Sequence, residues 1–200
     1  MPTQRQILSK QKKIAKYKAA LARERREHGW YHDGQGLRYV IAEYYAEIED
    51  FKGALIYFRW FKKNFPDDVG YPNFHLIWTR TLFEQKKFKL AKLKAIETAL
   101  SNLYLIPTIL GVEVEDVGLN EHSNVVGLEY VKEVEKDIEY LISVDFFEWL
   151  LDVYGSPEYQ EIVSKYIRLS MELDNLKDTD ERSLKIKEIS ALEDSLVLPS

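Results

Sequence analysis

The residues with the clearest potential for chemistry are the histidines, because imidazole is the commonest metal ligand in proteins. They are His28, His32, His75 and His122. His28, His32 and Asp33 lie close together, but the glycines among them predict a turn rather than the i, i+4 spacing of helical zinc sites, and the chain has no cysteine. We therefore predict no metal, no cofactor and no catalytic residue. His75 is expected to be an ordinary packed or half-exposed residue of a helix.

The turn at residues 34–36 is a second place where chemistry is conceivable, since the N-terminus of a helix can bind an anion. It lacks the longer glycine signature, and the Lys followed by Ser or Thr, of a phosphate-binding loop. The acidic run from Glu133 to Glu139 predicts a solvated helix face. We therefore expect no enzyme, although a small-ligand or catalytic pocket near residues 30–39 stays open as an alternative.

Charge is distributed unevenly along the chain. The formal net charge is −5, yet residues 1–28 contain nine basic and two acidic residues, so the remainder is strongly acidic. Three interpretations of the basic segment stay open: a helix that is solvated or docked on the acidic body, an arm for a partner or for self-association, and a helix that follows nucleic-acid phosphates or a membrane surface. The basic residues considered for such contacts are Lys12, Lys13, Lys16, Arg23, Arg25 and Arg26.

The same segment is composed of good helix formers and has no Gly or Pro after Pro2, which predicts a long helix over residues 3–28. Its apolar positions are few. Ile7, Ile14, Tyr17 and Leu21 form a stripe that is suited to a single seam rather than to a core helix. Residues 28–36 predict a structured turn that separates this arm from a body at residues 29–200.

Composition sets the class of protein. Hydrophobic residues make up 46% of the chain and aromatic residues 13%, which is enough for one core. The absence of cysteine excludes a disulfide framework and suits a reducing cytosol. We expect a cytoplasmic protein without a signal peptide, because no apolar run follows the N-terminus and none approaches the ~18 residues of a membrane span.

Two helical hairpins recur 37 residues apart, at about residues 36–68 and 72–103. Each consists of an aromatic-rich helix A, a short charged break and a helix B that opens near a small residue, Ala54 or Ala91. A helical pair that recurs at this period predicts a repeat protein, whose usual role is to bind a partner. A connection at residues 103–123 and further helices at 124–197 complete the expected body.

The first hairpin resembles the tetratricopeptide repeat. In that family a small residue opens helix B, an aromatic residue follows four positions later and a proline closes the unit eight positions after that. Ala54, Phe58 and Pro66 stand at these spacings. Ala42 and Tyr45 match the small and aromatic positions of helix A.

The second hairpin matches the family in part. Ala91 is the expected small residue, but Ala95 replaces the aromatic residue and Leu103 replaces the proline. Three residues are also inserted relative to the usual 34, which we place at residues 68–71. The chain as a whole also resembles a bacterial family of uncharacterised proteins with degenerate helical repeats, through residues 33–39, 57–61, 64–68 and 166–167, and this likeness implies no activity.

The resemblance implies an all-α fold: helical hairpins stacked into a right-handed superhelix, with extra C-terminal helices and the long basic N-terminal helix. It also implies a groove lined by helix A of each repeat. Glu43 and Arg80 hold equivalent places in adjacent repeats, where they would pair or grip a peptide. Glu43 would repel a C-terminal carboxylate, so a carboxylate clamp is not supported. The groove positions are Tyr39, Glu43, Glu47, Asn73, Arg80 and Glu84.

From these observations we predict a protein–protein interaction or scaffolding module that binds an unknown protein or peptide in the helix-A groove. Self-association through the N-terminal helix is also possible. The alternative is a nucleic-acid-associated protein that uses the basic helix, and the second alternative is the ligand pocket near residues 30–39.

Overall fold

The structure is a computed structural model that describes residues 2–119 and 123–196, and within these ranges the chain is all helical, without a β-strand. The all-α prediction is confirmed. His122 and the expected helix end at residue 197 lie outside the described residues. The helices are α1 (Gln4–His28), α2 (Leu37–Glu47), α3 (Phe51–Asn64), α4 (Pro72–Glu84), α5 (Phe88–Ser101), α6 (Leu105–Ile109), α7 (Leu128–Ile138), α8 (Val144–Tyr154), α9 (Pro157–Asn175) and α10 (Thr179–Asp194), with a 3₁₀ turn at Glu139–Leu141.

Helix α1 begins and ends with well-defined caps. Thr3 and Gln6 form a reciprocal capping box, in which each side chain bonds to the backbone N–H of the other residue. At the other end Gly29 adopts φ 81° and its N–H donates to the carbonyl of Arg25. None of the described helices is long and apolar enough to span a membrane.

Helix α1 packs along α2 through the narrow stripe that its sequence contains. Ile14 and Leu21 are buried in the main core. Tyr17 stacks on Tyr44 of α2, with ring centroids 5.8 Å apart. The basic segment is thus docked on the body of its own chain, and its opposite face is left to solvent.

Asp33 fixes the turn between α1 and α2. Its buried carboxylate accepts hydrogen bonds from the N–H groups of Leu37 and Arg38, at 2.7 and 3.1 Å, and pairs with the Arg38 guanidinium at 2.8 Å. The N–H of Asp33 itself donates to the carboxylate of Glu24. The carboxylate of Asp33 therefore already caps the N-terminus of α2, so the N–H groups at this helix end do not need a bound external anion.

The backbone of the two hairpins repeats at the period seen in the sequence. Glu49 and Lys86, which are 37 positions apart, both adopt the left-handed conformation between helix A and helix B, with φ 57° and 54°. The N–H groups of Asp50 and Lys87 then bond to the carbonyl five residues earlier, at 3.0 and 2.9 Å. This is the hydrogen-bond pattern of a Schellman-type helix end, used twice with residues other than glycine.

The centre of the fold is α4, whose residues from Phe74 to Leu82 are all buried. Phe58 of α3 stacks on Trp78, with centroids 4.5 Å apart and planes 14° from parallel. Ala54 and Ala91 are fully buried, as the close approach of helices A and B requires.

The C-terminal half packs on surfaces of the two hairpins that would otherwise be exposed. The segment from α7 to the start of α8 reaches α2, α4 and α6, while α9 packs on α5 and forms a second antiparallel pair with α10. Phe146 of α8 is fully buried against Phe83 of α4, with centroids 5.3 Å apart.

The left-handed conformation of Lys86 generates a prediction about stability. For a residue with a β-carbon this conformation costs about 1–2 kcal/mol, and glycine avoids that cost at the expense of about 0.5–1 kcal/mol of chain entropy. We therefore expect Lys86→Gly to raise the free energy of unfolding by about 0.5–1 kcal/mol in urea denaturation. Lys87→Gly is the matched control, because Lys87 has φ −91° and should gain nothing. Equal effects of the two changes would contradict the Schellman-type end.

The docking of α1 generates a second prediction. Leu21 is 1% exposed and Leu8, on the same helix, is 50% exposed. Leu21→Ala should therefore lower the free energy of unfolding by about 2–4 kcal/mol, whereas Leu8→Ala should change it by less than about 0.5 kcal/mol. A Leu21→Ala variant with the stability of the wild type would show that α1 does not dock in solution.

Candidate functional site

The groove lined by α2 and α4 is partly filled by the chain itself. The hydroxyl of Tyr130, on α7, donates to the side-chain oxygen of Asn73 at 3.1 Å. The guanidinium of Arg80 donates to the hydroxyl of Ser143 at 2.6 Å. The segment from α7 to the start of α8 therefore lies over the surface where the sequence predicted a partner.

Arg80 is a structural residue at the floor of this groove. It is buried, it pairs with Glu84 at 2.6 Å, and its guanidinium lies 4.9 Å from the ring centroid of Phe146. Burial lowers the pKa of Arg80, and the neighbouring carboxylates oppose that shift. The structure thus brings Arg80 together with Glu84 and Ser143, and not with Glu43, which the sequence had offered as a partner.

Tyr39 also serves the fold rather than a free groove. Its hydroxyl donates to Asp68 at 2.6 Å, and the Asp68 carboxylate accepts from Arg38 at the same distance. Burial opposes ionisation of Asp68, yet the hydrogen bonds from Tyr39, the N–H of Gly70 and Arg38 lower its pKa. These bonds tie α2 to the loop that precedes α4, which is where the sequence predicted the three inserted residues.

Glu43 and Glu47 line the part of the groove that stays open. Partial burial raises the pKa of Glu43, and the nearby carboxylates of Glu47 and Asp137 raise it further. Glu47 is in an ion pair with Lys10 of α1. This part of the groove is acidic, with one cation supplied by the chain itself.

The covering segment carries two exposed hydrophobic side chains. Tyr140 is 48% exposed and Val144 is 72% exposed. Partial burial, and then the negative charges of Glu47, Glu43 and Asp137, raise the pKa of Tyr140, and the turn that carries Tyr140 packs against α2. We call Glu43, Glu47, Tyr140 and Val144 the groove rim.

Sequence reasoning missed Tyr140 and Val144 because it treated the groove as free. The signal that was available is the pattern of α4, whose polar residues between Phe74 and Leu82 are scattered around the helix and form no single polar face. A helix without a polar face has to be covered on all sides, so part of the chain had to lie over it.

The basic arm divides into two faces. Lys18 donates to the hydroxyl of Tyr45 at 2.8 Å, and Lys10 and Lys13 lie 4.3 and 5.3 Å from the ring centroid of Tyr44, so one residue of the predicted set, Lys13, takes part in docking. Arg25 donates to the carbonyl of Gly29 at the end of its own helix. The predicted residues Lys12, Lys13, Lys16, Arg23, Arg25 and Arg26 are all exposed.

Three of the four histidines, His28, His32 and His75, lie in the part of the chain that the structure describes. The rings of His28 and His32 are in contact, with centroids 5.4 Å apart. Over the described residues, however, there is no group of three His, Cys, Asp or Glu side chains that could hold a metal ion.

A buried polar cluster lies at the crossing of α4 and α5, beside a cavity of about 370 Å³. His75 Nε2 bonds to the carbonyl of Val69, which makes it the donor and leaves Nδ1 to face the ammonium of Lys94 at 3.5 Å. Lys94 is also 2.6 Å from the carboxylate of Glu97 and 4.0 Å from the ring centroid of Trp78. Its ammonium is committed to three partners inside the fold, so we assign this cluster a structural role.

His75 generates a pH prediction. Burial, with a smaller effect of Lys94, lowers the pKa of His75 to about 4, against about 6.5 in an unfolded chain. The unfolded state therefore binds the proton more tightly. The stability that the neutral imidazole contributes is fully present above pH 6.5 and is lost as the pH falls through about 4, up to about 3 kcal/mol in total.

Replacing the imidazole tests this assignment. His75→Gln keeps a donor for Val69 and cannot be protonated, so its free energy of unfolding should depend less on pH between 6.5 and 4 than that of the wild type. His32→Gln, at an exposed site, should keep the wild-type slope in the same urea titrations. A His75→Gln slope equal to that of the wild type would contradict the buried, neutral imidazole.

Comparisons with protein-family models, with curated proteins and with solved structures find no match to this chain. The resemblance to the tetratricopeptide repeat therefore rests on the residue spacings given above. The features of the structure that bear on function are the groove rim and the charge on α1.

Proposed function

We propose that this chain is a tetratricopeptide-like protein-interaction module that binds a segment of a partner protein at the groove rim. In this proposal the two hairpins form the start of a right-handed superhelix, the protein is cytoplasmic and it catalyses no reaction. The observation that carries the proposal is the exposed Tyr140, on a turn that packs against α2, beside the carboxylates of Glu43 and Glu47, with Val144 exposed four residues further along.

The repeat assignment is supported by the backbone as well as by the sequence. The left-handed residues Glu49 and Lys86 and the buried alanines Ala54 and Ala91 recur at one spacing of 37 residues. Each hairpin has the same turn and the same close approach of its A and B helices. Successive hairpins are therefore expected to stack on one another with the same rotation.

The composition of the groove rim suits a protein partner. Protein interfaces combine an apolar centre, in which tyrosine is enriched, with a polar rim. Tyr140 and Val144 supply the apolar contacts, and Glu43 and Glu47 supply the charge. A partner segment with an apolar side chain next to a Lys or Arg would match both, and its cation would relieve the repulsion that raises the pKa of Glu43.

The proposal also accounts for the covering segment. Val131, Ile138 and Leu141 are buried, so displacing this segment would expose apolar side chains worth roughly 1.5–3 kcal/mol each. We therefore place the partner on the open rim, beside the covering segment, and not in its position.

A photo-cross-linking residue at position 140 tests the proposal directly. The full chain is incubated with a native lysate, irradiated and analysed by mass spectrometry, and Ile56, which is 57% exposed on α3, is the matched control position. We expect a defined adduct from position 140 and not from position 56. That adduct should disappear when Val144→Ser and Glu43→Gln are added, while circular dichroism stays unchanged.

Two outcomes would contradict the proposal. One is the same set of adducts from positions 140 and 56. The other is an adduct at position 140 that does not respond to the changes at Val144 and Glu43.

A further inference from the structure

The outward face of α1 carries a straight line of cations. With 100° of rotation per residue, Arg5, Lys12, Lys16 and Arg23 fall within about 40° of one another, on the side of the helix opposite to Ile14 and Leu21. At 1.5 Å of rise per residue they extend over about 27 Å. All four are exposed. We call these four residues the basic face.

These cations are not neutralised by the fold. Across residues 2–119 and 123–196, none of the four takes part in an ion pair, whereas Lys10 on the docked side pairs with Glu47. The helix is also rigidly held, because Ile14 and Leu21 fix it on α2. The basic face is thus a preformed linear array rather than a flexible basic tail.

We propose that the basic face binds the phosphate backbone of a duplex nucleic acid. Neutralising phosphates needs only positioned cations, and the accompanying release of counterions supplies the free energy. A line of charges held in place by the fold can contact several phosphates of a duplex at once. Binding of this type follows the backbone and does not depend on base sequence.

Other polyanions fit the basic face less well. Single strands are usually held by aromatic side chains that stack on bases, and Tyr17, the aromatic residue of α1, is stacked on Tyr44 instead. Binding to a membrane surface needs several apolar side chains that insert into the lipid. The basic face has one such side chain at its edge, Leu8. A protein partner needs an apolar interface centre, which the small residues Ser9, Ala19 and Ala20 do not supply.

The acidic body does not cancel this attraction. The basic face points away from α2, so a helix diameter of about 10 Å separates it from Glu43 and Glu47. This is more than the Debye length of about 8 Å at physiological ionic strength, whereas at 25 mM salt, where the Debye length is roughly 20 Å, the acidic body weakens the attraction. The acidic residues of the body instead disfavour any approach of the duplex from another side.

Fluorescence anisotropy with the full chain and a labelled 24-base-pair DNA duplex tests the proposal. Between 25 and 200 mM salt, the logarithm of the binding constant should fall against the logarithm of salt concentration with a slope of roughly −3.6, for four phosphate contacts. Lys16→Gln alone should reduce that slope by about 0.9. No detectable binding at 25 mM salt would overturn the proposal.

A matched pair of quadruple variants separates the basic face from net charge. Neutralising Arg5, Lys12, Lys16 and Arg23 to Gln should weaken duplex binding at least about ten-fold at 50 mM salt. Glutamine is a good helix former, so α1 should persist. The control replaces four exposed lysines of the body by Gln and should weaken binding less than about three-fold. They are Lys52, Lys63, Lys89 and Lys136. Equal losses in the two variants would overturn the proposal.

The remaining measurements distinguish other ligands of the same charge. A duplex bound at least about five-fold more tightly than a single strand of equal length, and than vesicles containing phosphatidylserine, supports the proposal. Equal or tighter binding to the single strand or to the vesicles would overturn it. So would sedimentation showing a dimer that forms only when the basic face is intact.

Discussion

The burial of α4 on every side is the constraint on which the rest of the structure depends. From Phe74 to Leu82 no residue faces water. Because a helix of this composition has no solvated face, α2, α3, α5 and the segment that leads into α8 all have to close around it. Each large side chain left uncovered would forfeit roughly 1.5–3 kcal/mol, which is a large share of the stability of a domain this size.

This burial decides the role of the polar residues on α4. A buried polar group without a partner costs about 1–3 kcal/mol, so each needs an internal hydrogen bond. The hydroxyl of Thr79 donates to a backbone carbonyl of its own helix and contacts the hydroxyl of Thr98 at 3.1 Å. His75 finds a partner on the preceding loop and Arg80 donates to Ser143, the N-cap of α8, although Nε of Arg80 has no hydrogen-bond partner among the described residues. Residues that looked available for a ligand in the sequence are therefore used to satisfy the core.

The sequence predicted the local features of this fold and missed the nonlocal one. Helix breaks, the small residues at helix crossings and the period of 37 depend on residues close together in the chain, such as Glu49 to Ala54 in the first turn. The position of the segment that carries Tyr140 and Val144 depends on the absence of a solvated face on α4. Groove positions inferred from one helix at a time do not show which other part of the chain covers that helix. Asn73 and Arg80 are therefore engaged by Tyr130 and Ser143 of the same chain, whereas Glu43 and Glu47 are partly exposed and remain the predicted groove residues.

The basic segment shows the same distinction between composition and geometry. Its charge was evident from the sequence, but only the rotational position of α1 on α2 separates the cations that dock it from those that face outward. Glu47 links the two surfaces, because it pairs with Lys10 and also belongs to the groove rim. A cation brought to Glu47 by a partner competes with Lys10 for the same carboxylate, whereas a cation brought to Glu43 leaves that ion pair in place, although the charge of Lys10 also lowers the pKa of Glu43. A partner that places its charge at Glu43 can therefore bind without loosening α1, which leaves the basic face presented in the same orientation.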